Sequence, residues 1–468
     1  DELTLEEEDT YNAGKIEKTI KIISDLVNKQ GFPFTETFPE VERVDNSNKI
    51  DVTFRINEAE KKYINKITII GNERTLDKVI RRNMRLAEGD AFVPNLIARS
   101  KTLIGNLGFF SSLDIKEVQS IKPGYSDLIV QVGETSTGEV SFGGGYSSQV
   151  GGILNIGVTE KNFLGKGQRI SVNAKLSERE SDYTASFSEP YFLDRDLYSS
   201  LSLYNNTLDY KESRYSLKRE GFDMSGNFSI SEYIRQSTTD SLEKRNVKPR
   251  DGASASIFSE QGETTLSQVS TSLNMDTRSS SINPNDGYNL SLSSGFAGIG
   301  GDKKFIKILT SGNYYISYND DNILLSLGYN SGLIMGLGQD ILISDRFFLG
   351  GNSFKGFKQA GLGPRDASSK DSLGGNIFYT GTIKTTFGIG LPPELGLRGN
   401  WFTTLGSISG IDKSTVAYLD NSSIRMSTGI GISWSSPFGP ISIILSEALL
   451  KEDYDITESI SFGIGTKF

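Results

Sequence analysis

Two hydrophobic periods divide this chain, and the change falls near residue 135. Beyond Glu139 apolar residues recur at alternate positions, the period of half-buried strands. The final segment places Ile456, Ile460, Phe462, Ile464 and Phe468 on one face, with Glu458 and Thr466 between them. Thr457, Ser459, Ser461, Gly463, Gly465 and Lys467 fall on the other. Residues 423–435 repeat the pattern: Ile424, Met426, Ile430, Ile432 and Trp434 against Ser423, Arg425, Ser427, Gly429, Gly431 and Ser433. Residues 169–177 do so again, with Ile170, Val172, Ala174 and Leu176 opposing Arg169, Ser171, Asn173 and Lys175. The small residues on the polar face cannot support a large soluble core. Apolar outward to lipid and polar inward to a wet lumen is the reading that costs least.

Strand starts are predicted near 140, 152, 167, 181, 197, 220, 232, 264, 287, 304, 322, 375, 396, 424, 439 and 457. Sixteen is even, as in single-chain bacterial barrels. Turns are explicit at Phe163-Leu164-Gly165-Lys166-Gly167, Asn283-Pro284-Asn285-Asp286-Gly287 and Ser436-Pro437-Phe438-Gly439-Pro440. A loop rich in Gly, Ser and Asp spans about 335–376, and loops of that length are functional or disordered.

Before residue 135 helices and strands mix. Ile16, Ile20, Ile23 and Val27 line one helix face, with Gly31 as a C-cap. Extended stretches follow at 40–44 and 49–56. A second unit runs strand 63–70, Gly71-Asn72 turn, helix 76–84, helix 95–106 with Leu96, Leu103 and Leu107 on its apolar side, then strands 113–120 and 127–132. The first unit lacks the opening strand of the second, so the chain is expected to begin inside a domain. Residues Asp1–Asp9 are then expected to have no strand partner there. The resulting domains are 1–60 (partial), 61–135 (complete, βααββ) and 139–468 (barrel).

Composition narrows the function. The chain has no His and no Cys, which excludes Ser-His-Asp and Cys-His nucleophiles, disulfides and zinc sites of imidazole or thiolate. A net charge of -9 argues against a nucleic-acid binder. Only 36% of residues are hydrophobic, against roughly 45–50% apolar (glycine included) in soluble domains. Yet there are 50 Gly, 26 Phe and 19 Tyr. No apolar run reaches about 18 residues, so no membrane helix is predicted. The acidic start lacks an apolar signal-peptide core, so a processed or trimmed chain is expected, and Glu6-Glu7-Glu8-Asp9 reads as a solvated run. Asp276 and Arg278 read as a strand-end ion pair. The glycine-rich stretches carry no P-loop Gly-Lys-Ser/Thr. No acid/base constellation is visible beyond scattered carboxylates, so no enzyme is expected.

Several segments, in this order, resemble one family. They are Ile69-Ile70-Gly71-Asn72-Glu73-Arg74-Thr75, Leu86-Ala87-Glu88-Gly89-Asp90, Leu107-Gly108-Phe109-Phe110, Glu134-Thr135-Ser136-Thr137-Gly138-Glu139, and Asp276-Thr277-Arg278 with Pro284 and Gly287. In the long loop come Arg346-Phe347-Phe348-Leu349-Gly350-Gly351-Asn352-Ser353-Phe354-Lys355-Gly356-Phe357 and Gly363-Pro364-Arg365-Asp366; Ile424-Arg425-Met426-Ser427 through Pro440 closes the series. Together they resemble the BamA family of outer-membrane assembly factors over nearly the whole chain. The resemblance implies an all-β transmembrane barrel of about sixteen antiparallel strands preceded by α+β POTRA domains. It implies an insertase of the bacterial outer membrane, with the POTRA domains in the periplasm. Implied partners are unfolded outer-membrane proteins, assembly-complex lipoproteins at the POTRA domains, and outer-membrane lipid, with no cofactor.

By the same resemblance Phe354, Lys355, Gly356 and Phe357, with Gly363, Pro364, Arg365 and Asp366, form a lumen-loop motif, and Lys355 points into the lumen. Gly143, Gly144 and Gly145, with Gly463, Gly465 and Phe468, mark a lateral seam between first and last strands. Those glycines read equally well as simple relief of crowding at strand bends. The family's loop usually presents Arg where this chain has Lys355, facing acids where it has Lys384 and Thr404. Lys cannot form the bidentate carboxylate pair that Arg forms, so Lys355 is expected to find a carbonyl or another acid. The alternatives are a secretion pore of the same superfamily exporting one partner and, outside it, a passive porin.

Overall fold

The structure, a computed structural model, describes residues 13–29, 32, 35–44, 49–58, 62–318, 322–412, 416–436 and 439–465. Gly31, Phe468, Asp1–Asp9 and the Pro437-Phe438 turn, all singled out from the sequence, lie outside the described residues. The chain divides into two compact units, residues 1–138 with 161–168 and residues 139–160 with 169–468.

In the first unit, helix α1 (Ala13–Lys29) buries Ile16 and Thr19 beside an antiparallel pair, β1 (Thr35–Arg43) and β2 (Ile50–Glu58). Next come β3 (Tyr63–Ile70), α2 (Asp77–Arg81), α3 (Pro94–Gly105), β4 (Phe110–Gln119) and β5 (Tyr125–Glu134). The sheet order is β3-β5-β4, with β3 parallel and β4 antiparallel to β5. Ile64, Ile67, Ile80, Leu86, Ile104, Leu128, Val130 and Val132 form its core. The turn at Gly71 needs glycine: φ is +89° and a Cβ would stand 2.0 Å from the Val132 carbonyl oxygen. Two expectations need correction. Helix α2 ends at Arg81, because Asn83 and Met84 turn back to Ile80 and Arg81 through three-residue bonds. The buried stripe of α3 is Ile97, Ser100 and Ile104, while Leu96 is exposed. A step of about 100° per residue carries Leu96 off that stripe.

The second unit is a closed barrel of sixteen strands. They are β6 (Gly138–Ser147), β7 (Gly151–Phe163), β8 (Gln168–Ser177), β9 (Glu180–Glu189), β10 (Tyr198–Tyr210), β11 (Tyr215–Ser229), β12 (Ile234–Pro249), β13 (Gly262–Asp276), β14 (Gly287–Gly301), β15 (Phe305–Tyr318) and β16 (Ile323–Gly336). After a two-residue strand, β17 (Arg365–Asp366), follow β18 (Ile377–Gly388), β19 (Leu397–Ser409), the short β20 (Tyr418–Leu419), β21 (Arg425–Ser436), β22 (Gly439–Leu450) and β23 (Ile460–Gly465). The pair β17–β20 lies outside the barrel ladder, which is antiparallel throughout its described pairs and closes β23 onto β6. Closure removes free edges, the condition for strands to cross a bilayer.

Alternation holds along the wall. In β21, Ile430, Ile432 and Trp434 face out, while Arg425, Ser427 and Gly429 are buried inside. The interior, however, is not uniformly polar. Leu266, Ala297, Phe305, Ile334 and Ile408 on inner strand faces pack with Ile341, Phe347, Leu349, Phe354, Phe357 and Leu362 of the loop 337–376. That loop supplies an apolar core inside the barrel. The same packing explains two boundary errors. β11 starts at Tyr215 rather than 220 because Tyr215 and Leu217 are buried against Ile343 and Leu373 of the loop, which hides the alternation. The last strand starts at Ile460 rather than 457 because residues 456–458 bond to the loop instead of the barrel.

Candidate functional site: the lumen loop and the seam

The loop tip is a tight turn seated against the inner wall. Gly356 has φ +90°, and a Cβ there would come within 2.9 Å of the Ser427 Cβ. Phe354 and Phe357 are fully buried, their rings edge-to-face at 5.3 Å between centroids. Ser427 Oγ donates to the Lys355 carbonyl at 2.6 Å. The Lys355 ammonium donates to Asn352 Oδ1 at 2.6 Å. The acceptor is a carbonyl oxygen, that of a side-chain amide, and no acid receives that bond. Burial lowers the Lys355 pKa from its usual range; nearby Glu458 opposes the shift and nearby Lys384 adds to it.

Lys384 and Thr404 do not hold the tip. Thr404 Oγ1 bonds Thr382 Oγ1 at 3.0 Å, and among the described residues Lys384 makes no ion pair. The loop is tied by backbone instead. Lys358 N–H donates to the Ile456 carbonyl (2.9 Å), Ile456 N–H to Gly361 (2.7 Å) and Glu458 N–H to Gly356 (3.0 Å), with Phe357 bridged to Thr457. Main-chain bonds need no particular side chain, so a lysine at position 355 is tolerated.

Two charged anchors complete the attachment, and the sequence reading assigned neither. Next to the segment tied to the tip, Arg425 and Asp455 form an ion pair at 3.0 Å with both side chains fully buried. Arg425 also donates to the Ser423 carbonyl (2.8 Å) and Tyr454 Oη (3.1 Å). At the loop's other end, Asp345 receives Arg245 of β12 and Lys303 (2.7 Å), while Glu260 accepts the Ile343 and Ser344 N–H groups. Burial raises Glu260, partly offset by those two N–H bonds. The available signal was parity: Arg245 and Arg425 fall on inward positions, where a cation needs a partner.

Arg365 and Asp366 brace the loop internally. Arg365 donates to the Lys370 (2.8 Å) and Ala360 (2.9 Å) carbonyls. Gly363, at φ +105°, leaves no room for a Cβ beside Ile408, and the Pro364 carbonyl accepts Leu373 N–H at 2.9 Å. Asp366 is buried and accepts from Ser254 Oγ, Ser368 N–H and Oγ, and Ser369 N–H. Burial alone would raise its pKa, but these donors outweigh it and pull the carboxyl down to about 2. Its folded pKa lies below the unfolded value of about 3.9. The contribution to loop stability is therefore complete above about pH 4 and lost as pH falls toward 2. Amide exchange of residues 366–371 should accelerate over that window, and Asp366→Asn should exchange faster at neutral pH with a flatter pH profile.

Among the described residues, β23 meets β6 at three positions, Gly463 with Ser147, Ile464 with Tyr146 and Gly465 with Gly145, whereas β11 and β12 pair over 15. The Phe462 carbonyl also accepts Ser148 N–H at 3.0 Å, and Phe462 stacks on Tyr146 at 5.4 Å. Gly465 has φ +115°, and a Cβ would lie 2.5 Å from Gly145 Cα and 2.6 Å from the Gly144 carbonyl oxygen. Gly144, Gly145 and Gly465 thus converge, and Gly463 joins through the ladder. Gly143 lies in β6 outside the described ladder. Beyond the ladder, Gln149 donates its side-chain amide to Glu458, the residue whose N–H holds the loop tip. The alternation had placed Glu458 in line with the outward residues of β23; its bonds to Gln149 and the loop show that the register breaks before Ile460.

A closed sixteen-stranded antiparallel barrel with an apolar outer face, preceded by a βααββ unit, defines an outer-membrane barrel protein with POTRA-type domains. The chain belongs to the Omp85 superfamily: the Omp85 superfamily domain matches residues 162–468, and POTRA, the surface antigen variable number repeat, matches 1–59 and 62–135. It is 33% identical over 98% of its length to the outer membrane protein assembly factor BamA of Neorickettsia risticii, and 28% identical over 90% to that of Nitratidesulfovibrio vulgaris. The chain spans 62% and 53% of those two relatives. Its fold is similar to a crystal structure of Haemophilus ducreyi BamA lacking POTRA domains 1–3, with a TM-score of 0.80 at 19% identity, covering 99% of this chain and 96% of that one. Family and architecture together place the chain in the outer membrane, its POTRA domains on the periplasmic side.

Proposed function

We propose that the chain folds and inserts β-barrel proteins into the outer membrane through the seam between β23 and β6. The observation that carries this reading is the ladder of β23 on β6, three pairs among the described residues, against five between β22 and β23 and fifteen between β11 and β12. Each ladder bond costs several kcal/mol to break in hydrocarbon, so the junction with the fewest described pairs is the cheapest place to part the wall. An incoming strand then pairs with the freed edge of β6 and restores the lost bonds by β-augmentation. Such recognition uses main chain, which suits many unrelated substrates. The POTRA domains take the unfolded outer-membrane proteins and the lipoproteins of an assembly complex as partners, and surrounding lipid receives the product. The activity so proposed forms and breaks no covalent bond.

The full chain in liposomes should accelerate folding of a urea-unfolded eight-stranded barrel protein at least tenfold over empty liposomes. Equal rates contradict the reading. Depletion in cells followed by outer-membrane proteomics should remove many barrel proteins; loss of one secreted protein alone would support an exporter instead.

A further inference from the structure

The outer face of β12 carries a line of polar residues. Glu243 and Arg245 of β12 face inward, where Arg245 meets Asp345 of the loop. Leu242 therefore faces out, and so do Gln236, Thr238 and Asp240. The strand register places these among apolar outer residues. Asp240 lies between Met224 of β11 and Val269 of β13; one step above it Leu242 meets Phe222. Below it Thr238 lies between Gly226 and Thr271, and Gln236 between Phe228 and Leu273. Phe222, Met224, Phe228, Leu242 and Leu273 are all exposed on this surface. A polar line ending in an exposed carboxylate thus runs through the apolar band.

A carboxylate against acyl chains is unfavourable, and an ionisable residue at membrane depth calls for a partner. This chain does not supply one. The nearest outward cations stand above the band and are engaged: Lys218 with Glu220 at 2.5 Å, and Lys244 with Glu263 at 2.7 Å. Among the described residues the Asp240 carboxylate makes no hydrogen bond or ion pair. β12 is six strands from β6 and nine from β23 around the wall, so the feature lies far from the seam.

We propose that the outward face of β12 docks a second, different membrane-spanning protein segment, one that presents a Lys or Arg from an otherwise apolar face to Asp240. Charge complementarity selects this occupant. A second copy of the chain is disfavoured, because pairing β12 on β12 about an axis normal to the membrane brings two Asp240 carboxylates together at one depth. Lipid is disfavoured because its cationic headgroups stay at the rim. Thr238, Thr271 and Gln236 offer the neighbouring donors and acceptors, and the flanking Phe and Leu side chains supply apolar contact.

The test uses the full chain in lipid nanodiscs and a labelled, leucine-rich membrane-spanning peptide with one Lys at the depth of Asp240. Association is read by energy transfer. The peptide should bind the wild type at least tenfold more tightly than Asp240→Asn, and replacing its Lys by Leu should abolish the difference. Retained heat-modifiability on gels shows that Asp240→Asn is folded. Equal binding to both proteins, or no binding above dilution in lipid, overturns the proposal.

Discussion

Replacing Asp455 by alanine is expected to destabilise the barrel by about 3–5 kcal/mol, the usual cost of stranding one member of a buried ion pair. Both side chains of the Arg425–Asp455 pair are shut off from solvent. Without Asp455 the guanidinium keeps only neutral acceptors, the Ser423 carbonyl and Tyr454 Oη. Asp455 also accepts Glu452 N–H at 2.8 Å, so the turn that leads to residues 456–458 loosens with it. Those residues hold the loop tip, so the loss should spread to the loop. Exchange at Gly356 and Phe357 should rise alongside the fall in unfolding temperature. The double variant Arg425→Met with Asp455→Leu removes both charges and should recover most of the loss. Unfolding in detergent micelles checks both. A single-variant loss under about 1 kcal/mol would mean that the pair does not anchor this segment.

The barrel was legible because a strand facing lipid on one side must alternate, and almost every strand does. Errors appear where a third layer intrudes. Tyr215 and Leu217 are inward and apolar because the loop covers them, so the outward pattern alone begins β11 late. Ile456 belongs by parity to β23, yet it bonds Gly361 and Lys358 of the loop. A local period carries no information about contacts roughly 100 residues away.

The site was legible in part. Glycine and aromatic residues at Phe354, Gly356 and Phe357 announced a tight, buried turn. The ties could not be read: Asp345, Arg245, Lys303, Arg425, Asp455, Gln149 and Glu458 are scattered over more than 300 residues, and only closure of the barrel brings them to the loop. The exchange of Arg for Lys355 raised the right question, since a lysine cannot replace a bidentate pair. Its answer, a backbone bridge to residues 456–458, leaves no trace in side-chain identity.

Tethering the seam tests the account most directly. Tyr146 and Ile464 are opposite one another in the ladder, and both face out. Directly opposed residues lie about 4.5–5.5 Å apart at Cα, a span a disulfide bridges. The chain has no cysteine of its own, so Tyr146→Cys with Ile464→Cys creates a single defined bond. In the liposome assay the oxidised protein should lose at least nine-tenths of its acceleration of barrel folding. Reduction should restore it, and each single variant should behave as the parent. An oxidised, fully cross-linked protein that still inserts its substrate at the parent rate would contradict passage between β23 and β6.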